Sequence, residues 1–144
     1  GGEIGHMEAV SEGGGLCYCG RRGCFDTVCR AGKLAGYTDG SLEEFFHVLE
    51  QGDETAEKLW DEYLEHLARA IHNIRMLFDG MVILGGYVGA HMGKYLDDIC
   101  RRVDEKNPFG DRAQDYLVEC RYKVEASAAG AALFYIDEFL DLSC

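Results

Sequence analysis

GEIGHMEAVSEGGGLCYCGRRGCFD, residues 2–26, is the run on which the reading of this chain turns. It carries His6, Cys17, Cys19 and Cys24, with Gly13, Gly14, Gly15, Gly20 and Gly23 scattered between them. Three thiols and an imidazole form a Cys₃His set, the donor types that a structural zinc ion takes at tetrahedral corners with no open position. The glycines suit a loop that must turn its own side chains onto one point, because they adopt backbone angles that a β-carbon resists. The spacing is C-x-C-x₄-C with the histidine eleven residues upstream, unlike the C-x₂-C and H-x₃₋₅-H pairs of common fingers and ribbons. Spacing alone leaves three readings open: zinc, reduced cysteines in a glycine-rich loop, or a disulfide pair. Cys29, five residues past Cys24, is a substitute ligand by position and equally a residue of the buried side of a following helix.

GEIGH followed by CxCGxxGC resembles the signature of the ROK family, which groups sugar-responsive transcriptional repressors with sugar kinases. The resemblance implies a structural zinc held by His6, Cys17, Cys19 and Cys24, and sugar hydroxyls met by Glu3, His6 and Asp26. It also implies an α/β fold, a partial actin-like ATPase lobe of the ribonuclease H type with a zinc-binding loop. Two departures stand out. The gap from His6 to Cys17 is one residue longer than the family pattern, and Asp26, one methylene shorter, stands where the family has Glu. The chemistry is sound apart from the name. A carboxylate accepts hydrogen bonds from two adjacent hydroxyls, and charge-assisted bonds are roughly twice as strong as neutral ones. An imidazole bound to zinc through one nitrogen has its tautomer fixed, so the other nitrogen donates in a defined direction. Without the resemblance, Glu3 and Asp26 would read as solvated loop acids.

A formal charge of −12 argues against nucleic-acid binding through this surface, since phosphate contact runs on clustered Lys and Arg. Seven cysteines, an odd number with no secretory segment ahead of them, fit a reducing compartment. No apolar run approaches a membrane span. The expectation is a cytoplasmic protein without membrane contact, and one domain at this length.

Beyond the loop, Phe25 to Leu34 reads as a short helix broken by Gly36 and the run TDG. Ser41 is an N-cap with Glu44 three residues on as a capping box, and Leu42, Phe45, Phe46 and Leu49 form an apolar stripe ended by Gly52. A long helix follows from about Glu54 to Phe78, with Ala56, Leu59, Trp60, Tyr63, Leu67, Ile71, Ile74 and Phe78 at spacings of three and four. His66 and His72 on it are six apart, on different faces, and with His47 and His91 read as solvated or core-edge histidines. Met81 to Leu84 predicts a strand buried on both sides of a parallel sheet, followed by Gly85 and Gly86 and a helix from Gly89 to Glu105. A strand, a glycine pair and a helix can bring backbone amides to a nucleotide, so Gly85 and Gly86 are nucleotide-binding candidates, although tight βα turns use glycine for steric reasons too. Asn107 to Gly110 reads as a turn, a second strand falls within Tyr116 to Val124, and Ser127 opens a final Ala- and Gly-rich helix.

Family kinases carry a DxGxT phosphate motif and a catalytic Asp ahead of GEIGH, and neither occurs here. The chain is thus expected to be a carboxyl-terminal ROK fragment, with residues 1–26 the zinc and sugar loop and 27–144 the helical and α/β remainder. Two parallel strands leave bare edges, which a missing amino-terminal lobe or a homo-oligomer would cover. The leading expectation is the sugar- or amino-sugar-binding and oligomerisation portion of a repressor that meets DNA only through a region outside this sequence. The alternative is the carboxyl-terminal half of an ATP-dependent sugar kinase, the case in which ATP is a cofactor. A third is a stand-alone zinc-stabilised interaction module.

Overall fold

The computed structural model describes residues 3–122. In chain order it holds helices α1 (Phe25–Val28), α2 (Ala31–Ala35), α3 (Leu42–Glu50) and α4 (Glu54–Leu77), then strand β1 (Val82–Leu84), helices α5 (Gly86–Gly89) and α6 (Leu96–Asp104), and strand β2 (Leu117–Glu119). The architecture is α/β, and α4 is its axis.

Asp53 starts that axis, its carboxylate accepting from the Thr55 and Ala56 amides at 3.1 and 2.8 Å. The stripe read from the sequence is the buried face: Ala56, Trp60, Tyr63 and Ile71, joined by Leu64, Ala68 and Ala70. Onto it pack α3, through Phe45, Phe46 and Leu49, and α6, through Ile99, Cys100 and Val103. Trp60 lies parallel to Tyr63 at 5.3 Å and meets Phe46 edge-on at 5.2 Å. Each fully buried side chain of this size contributes about 1.5–3 kcal/mol relative to an exposed one, so the three-helix contact dominates the stability of the described residues. Ser41 caps α3 by accepting from the Glu44 amide at 3.1 Å. Only that half of the capping box forms, because the Ser41 amide donates to the Thr38 carbonyl instead.

β1 and β2 pair in parallel, Val82 with Leu117, Ile83 with Val118 and Leu84 with Glu119. Four expectations need correcting. The helix from Phe25 to Leu34 is two short helices, because Cys29 and Arg30 leave the helical region and the Cys29 thiol donates to the Tyr63 carbonyl of α4 at 3.5 Å. The helix expected from Gly89 to Glu105 is α5, a 3₁₀ turn at Met92–Tyr95 and then α6. Its first turn must pass over β1, where a β-carbon on Gly89 would sit 3.0 Å from the Leu84 carbonyl oxygen. β1 is not buried on both sides, since Ile83 is 63% exposed; among the described residues the pair has one strand neighbour each and no full second layer. Phe78, expected in the core, is 66% exposed because α4 ends at Leu77 and the chain turns to extended backbone there.

The turn at Asn107 forms as read: Asn107 accepts from the Phe109 amide at 2.9 Å, and Gly110 takes φ +83°. The second strand falls within the expected Tyr116 to Val124 and ends at Glu119, whereas the final helix from Ser127 lies outside the described residues. Among the described residues no helix is long and apolar enough to cross a membrane.

Candidate metal and sugar site

The loop ahead of α1 closes by two nested antiparallel returns, Glu8 against Cys24 outside and Leu16 against Arg22 inside. The outer return is tied by the Phe25 amide to the Met7 carbonyl at 2.8 Å, and by the Ala9 and Val10 amides to the Gly23 carbonyl at 2.8 and 3.1 Å. The inner one turns at Cys17–Gly20, with the Gly20 amide on the Cys17 carbonyl at 2.9 Å. Such closeness is possible only for glycine. A β-carbon on Gly23 would stand 1.8 Å from the Val10 carbonyl oxygen, and one on Gly14 would stand 2.4 Å from the Gly23 Cα. The base of the loop rests on α4, with a crevice of only about 10 Å³ between Met7, Phe25, His66 and Ala70.

The returns bring His6, Cys17, Cys19 and Cys24 together, one ligand atom from each lying within 4.8 Å of the others. Cys17 Sγ is 3.7 Å from His6 Nδ1, and Cys19 Sγ is 3.7 Å from Cys24 Sγ. A tetrahedron with zinc–sulfur arms of about 2.3 Å has an edge of about 3.8 Å, so these separations are those of ligands around one ion and far too long for a disulfide. All three cysteines are free thiols. Burial pushes the Cys24 thiol up to about 11, with Cys19 and Cys17 beside it adding to the shift, whereas the Arg21 amide draws Cys19 down. Crowded, partly desolvated thiols resist ionising unless a cation joins them, and a coordinating cation deprotonates a thiol outright. The donor set therefore fits zinc. Cys29 stands apart, its thiol turned to Tyr63 and pushed up to about 12 by burial.

Glu3 and His6 flank one 3₁₀ turn, Ile4–His6, closed by the His6 amide on the Glu3 carbonyl at 3.1 Å. Asp26, in the first turn of α1, lays its carboxylate against that turn: a β-carbon on Gly5 would lie 2.6 Å from Asp26 Oδ1 and 2.8 Å from Oδ2. That contact explains why the residue between Ile4 and His6 is glycine. Glu3 and Asp26 thus both meet the turn that ends at His6, whose Nδ1 faces the Cys17 thiol. Tyr18, which the sequence reading passed over, stands beside them. Its ring meets His6 at 4.9 Å and 62°, and it is 80% exposed. Partial desolvation, then the charges of Asp26, Cys17, Glu3 and Cys19, hold its hydroxyl above the ordinary range. Its position between Cys17 and Cys19 was the available signal.

Gly85 and Gly86 lie elsewhere, at the carboxyl end of β1. Gly86 takes φ +75°, so the turn itself accounts for that glycine, whereas a β-carbon on Gly85 would make only an ordinary contact with Cys120, at 3.4 Å. A cleft of about 440 Å³, lined by Ser41, Phe46, His47, Glu50 and His91 among others, is also separate from the loop. His91 stacks on Phe46 at 4.1 Å and His47 bonds Gln51 at 2.9 Å, while His66 and His72 each keep a buried Nδ1 without a partner. Among the described residues these histidines join no ligand cluster.

The ROK family model matches residues 1–138. The chain belongs to the ROK family. An N-acetylmannosamine kinase of Yersinia pestis (strain Pestoides F) is 31% identical over 139 residues, covering 92% of this chain and 46% of that protein. The ROK hexokinase from Thermus thermophilus matches with a TM-score of 0.65 at 26% identity, over 98% of this chain and 49% of that one. A ROK family glucokinase from Streptomyces griseus, solved with glucose and AMPPNP, matches with a TM-score of 0.67 at 25% identity, over 92% and 50%. The chain spans about half the length of these relatives. Their likeness agrees with the actin-like ATPase fold. They are sugar kinases, so the kinase alternative is favoured over the repressor that led the sequence reading.

Proposed function

We propose that this ROK chain is the sugar-binding, carboxyl-terminal portion of an ATP-dependent sugar kinase, with residues 1–26 as a zinc-held sugar loop and 27–144 as its scaffold. The observation that carries the reading is the packing of the Asp26 carboxylate against the same turn that holds Glu3 and His6. The kinase relatives support the choice of activity.

His6, Cys17, Cys19 and Cys24 would hold the zinc, which when bound supplies structural cross-linking and no reactive position. With Nδ1 on the thiol side, His6 presents Nε2–H as a donor to a sugar hydroxyl. Glu3 accepts from two neighbouring hydroxyls, which fixes the sugar's rotation as well as its position. Asp26, packed against Gly5 of the turn, reads a further hydroxyl. Together they hold the acceptor hydroxyl in one orientation, and positioning is most of what a phosphoryl-transfer enzyme contributes. ATP supplies the phosphoryl group, and Gly85 and Gly86 offer it backbone at the carboxyl end of β1.

The test is sugar-dependent ADP release by the intact protein with N-acetylmannosamine and with glucose, alongside zinc content. Glu3→Gln should raise KM or abolish turnover while zinc content holds. Sugar binding without sugar-dependent ADP release would favour the repressor branch, and absence of sugar binding would sink the reading. Sedimentation of the same sample tests the expected homo-oligomer.

A further inference from the structure

We propose that Tyr18 is a sugar-contacting residue that sets specificity, its ring stacking on the C–H face of the carbohydrate whose hydroxyls Glu3, His6 and Asp26 bind. The inference rests on the sugar-site reading above and adds to it a recognition element of opposite character.

A pyranose offers two kinds of surface. Its rim carries hydroxyls, which carboxylates and imidazole bind; its faces carry C–H groups, which those partners cannot use. Ligand sites combine a few placed polar groups with apolar or aromatic walls for this reason. The described loop has the polar half in Glu3, His6 and Asp26, and one ring within reach. Tyr18 is 80% exposed, although a Tyr ring gains by burial. Leu16 and Ile4, from the same loop, are also exposed, at 67% and 46%. The ring stands edge-on to His6 at 4.9 Å, and Cys17 and Cys19 on either side of it are drawn inward to the ligand cluster. A rigid aromatic with two rotatable bonds loses little entropy on contact, which makes it an economical binding wall.

The test measures sugar affinity by titration calorimetry on the intact, zinc-loaded protein, with N-acetylmannosamine and glucose as probes. Tyr18→Ala should weaken binding about tenfold, the scale of one stacked aromatic contact. Tyr18→Phe should bind like the parent, and zinc content should stay the same in both. If Tyr18→Ala binds as tightly as the parent while Glu3→Gln loses binding, Tyr18 has no such role and the sugar site stands. If Tyr18→Ala sheds zinc, its part is structural and the proposal falls. If the parent binds neither sugar, the sugar-site reading fails and takes this one with it.

Discussion

Gly23→Ala places a methyl group where the loop has no room. The added carbon would lie 1.8 Å from the Val10 carbonyl oxygen, in a buried backbone position with φ +76°. Left-handed backbone costs a residue with a β-carbon roughly 1–2 kcal/mol. Relief of the clash requires Val10 to move away, which breaks the bonds from the Ala9 and Val10 amides to the Gly23 carbonyl. At about 1 kcal/mol each, their loss brings the total to roughly 3–4 kcal/mol, a fall in Tm of roughly 10 °C for a chain of this size. Gly20→Ala is the control. Gly20 has φ +86° but nothing within 4 Å of its β-carbon position, so it should lose only the backbone part, roughly 1–2 kcal/mol. Thermal unfolding by circular dichroism, with and without a chelator, reads both variants, and a colorimetric assay counts their zinc. Gly23→Ala should bind less zinc than Gly20→Ala and respond less to chelator. Equal losses in the two variants, with equal zinc, would refute the account of how the loop closes.

Replacing Cys19 with Ser should lower bound zinc well below one ion per chain and make unfolding insensitive to chelator; full zinc content would mean the ligand set is wrong. Cys29→Ala should leave zinc content unchanged, and Cys29 should resist maleimide at neutral pH in the folded protein, since burial pushes its thiol up to about 12; mass spectrometry of labelled peptides decides it. Asp53 is held below the ordinary carboxylate range, first by the Ala56 amide and then by the Tyr37 hydroxyl and the Thr55 amide. Its folded pKa is the lower one, so its contribution is present above the unfolded value and disappears as pH falls through the folded one. Asp53→Ala should therefore lower the urea midpoint at pH 7, and the gap from the parent should close below about pH 4; a gap that persists at pH 2 would assign the effect to something other than the charged cap.

Local signals were legible because local chemistry decided them. Ser41, Gly52 and the apolar stripe from Ala56 to Ile71 gave α3 and α4 nearly to the residue, and Asn107 with Gly110 gave the turn. What escaped was set by contacts distant in sequence. The break at Cys29 depends on Tyr63, and the broken run after Gly86 depends on how close the chain passes to Leu84. Ile83 looked like a two-sided core residue because β-branched runs do, yet burial is fixed by what covers a sheet and not by the strand's own letters. In the loop, the ligand types and the carboxylates could be read, whereas the reasons for Gly5, Gly14 and Gly23 required knowing which backbone each would strike.

The four side chains proposed to hold zinc come from one short run, and this bears on the order in which the protein assembles. Cys19 and Cys24 are five residues apart and His6 and Cys17 eleven, and each doubling of a closed loop adds only about 0.6 kcal/mol of chain entropy. If they hold zinc, a nascent polypeptide that has emerged through Asp26 already carries all four donors and would take up the ion before α4 forms. Metal supply during synthesis would then govern yield more than metal supply afterwards.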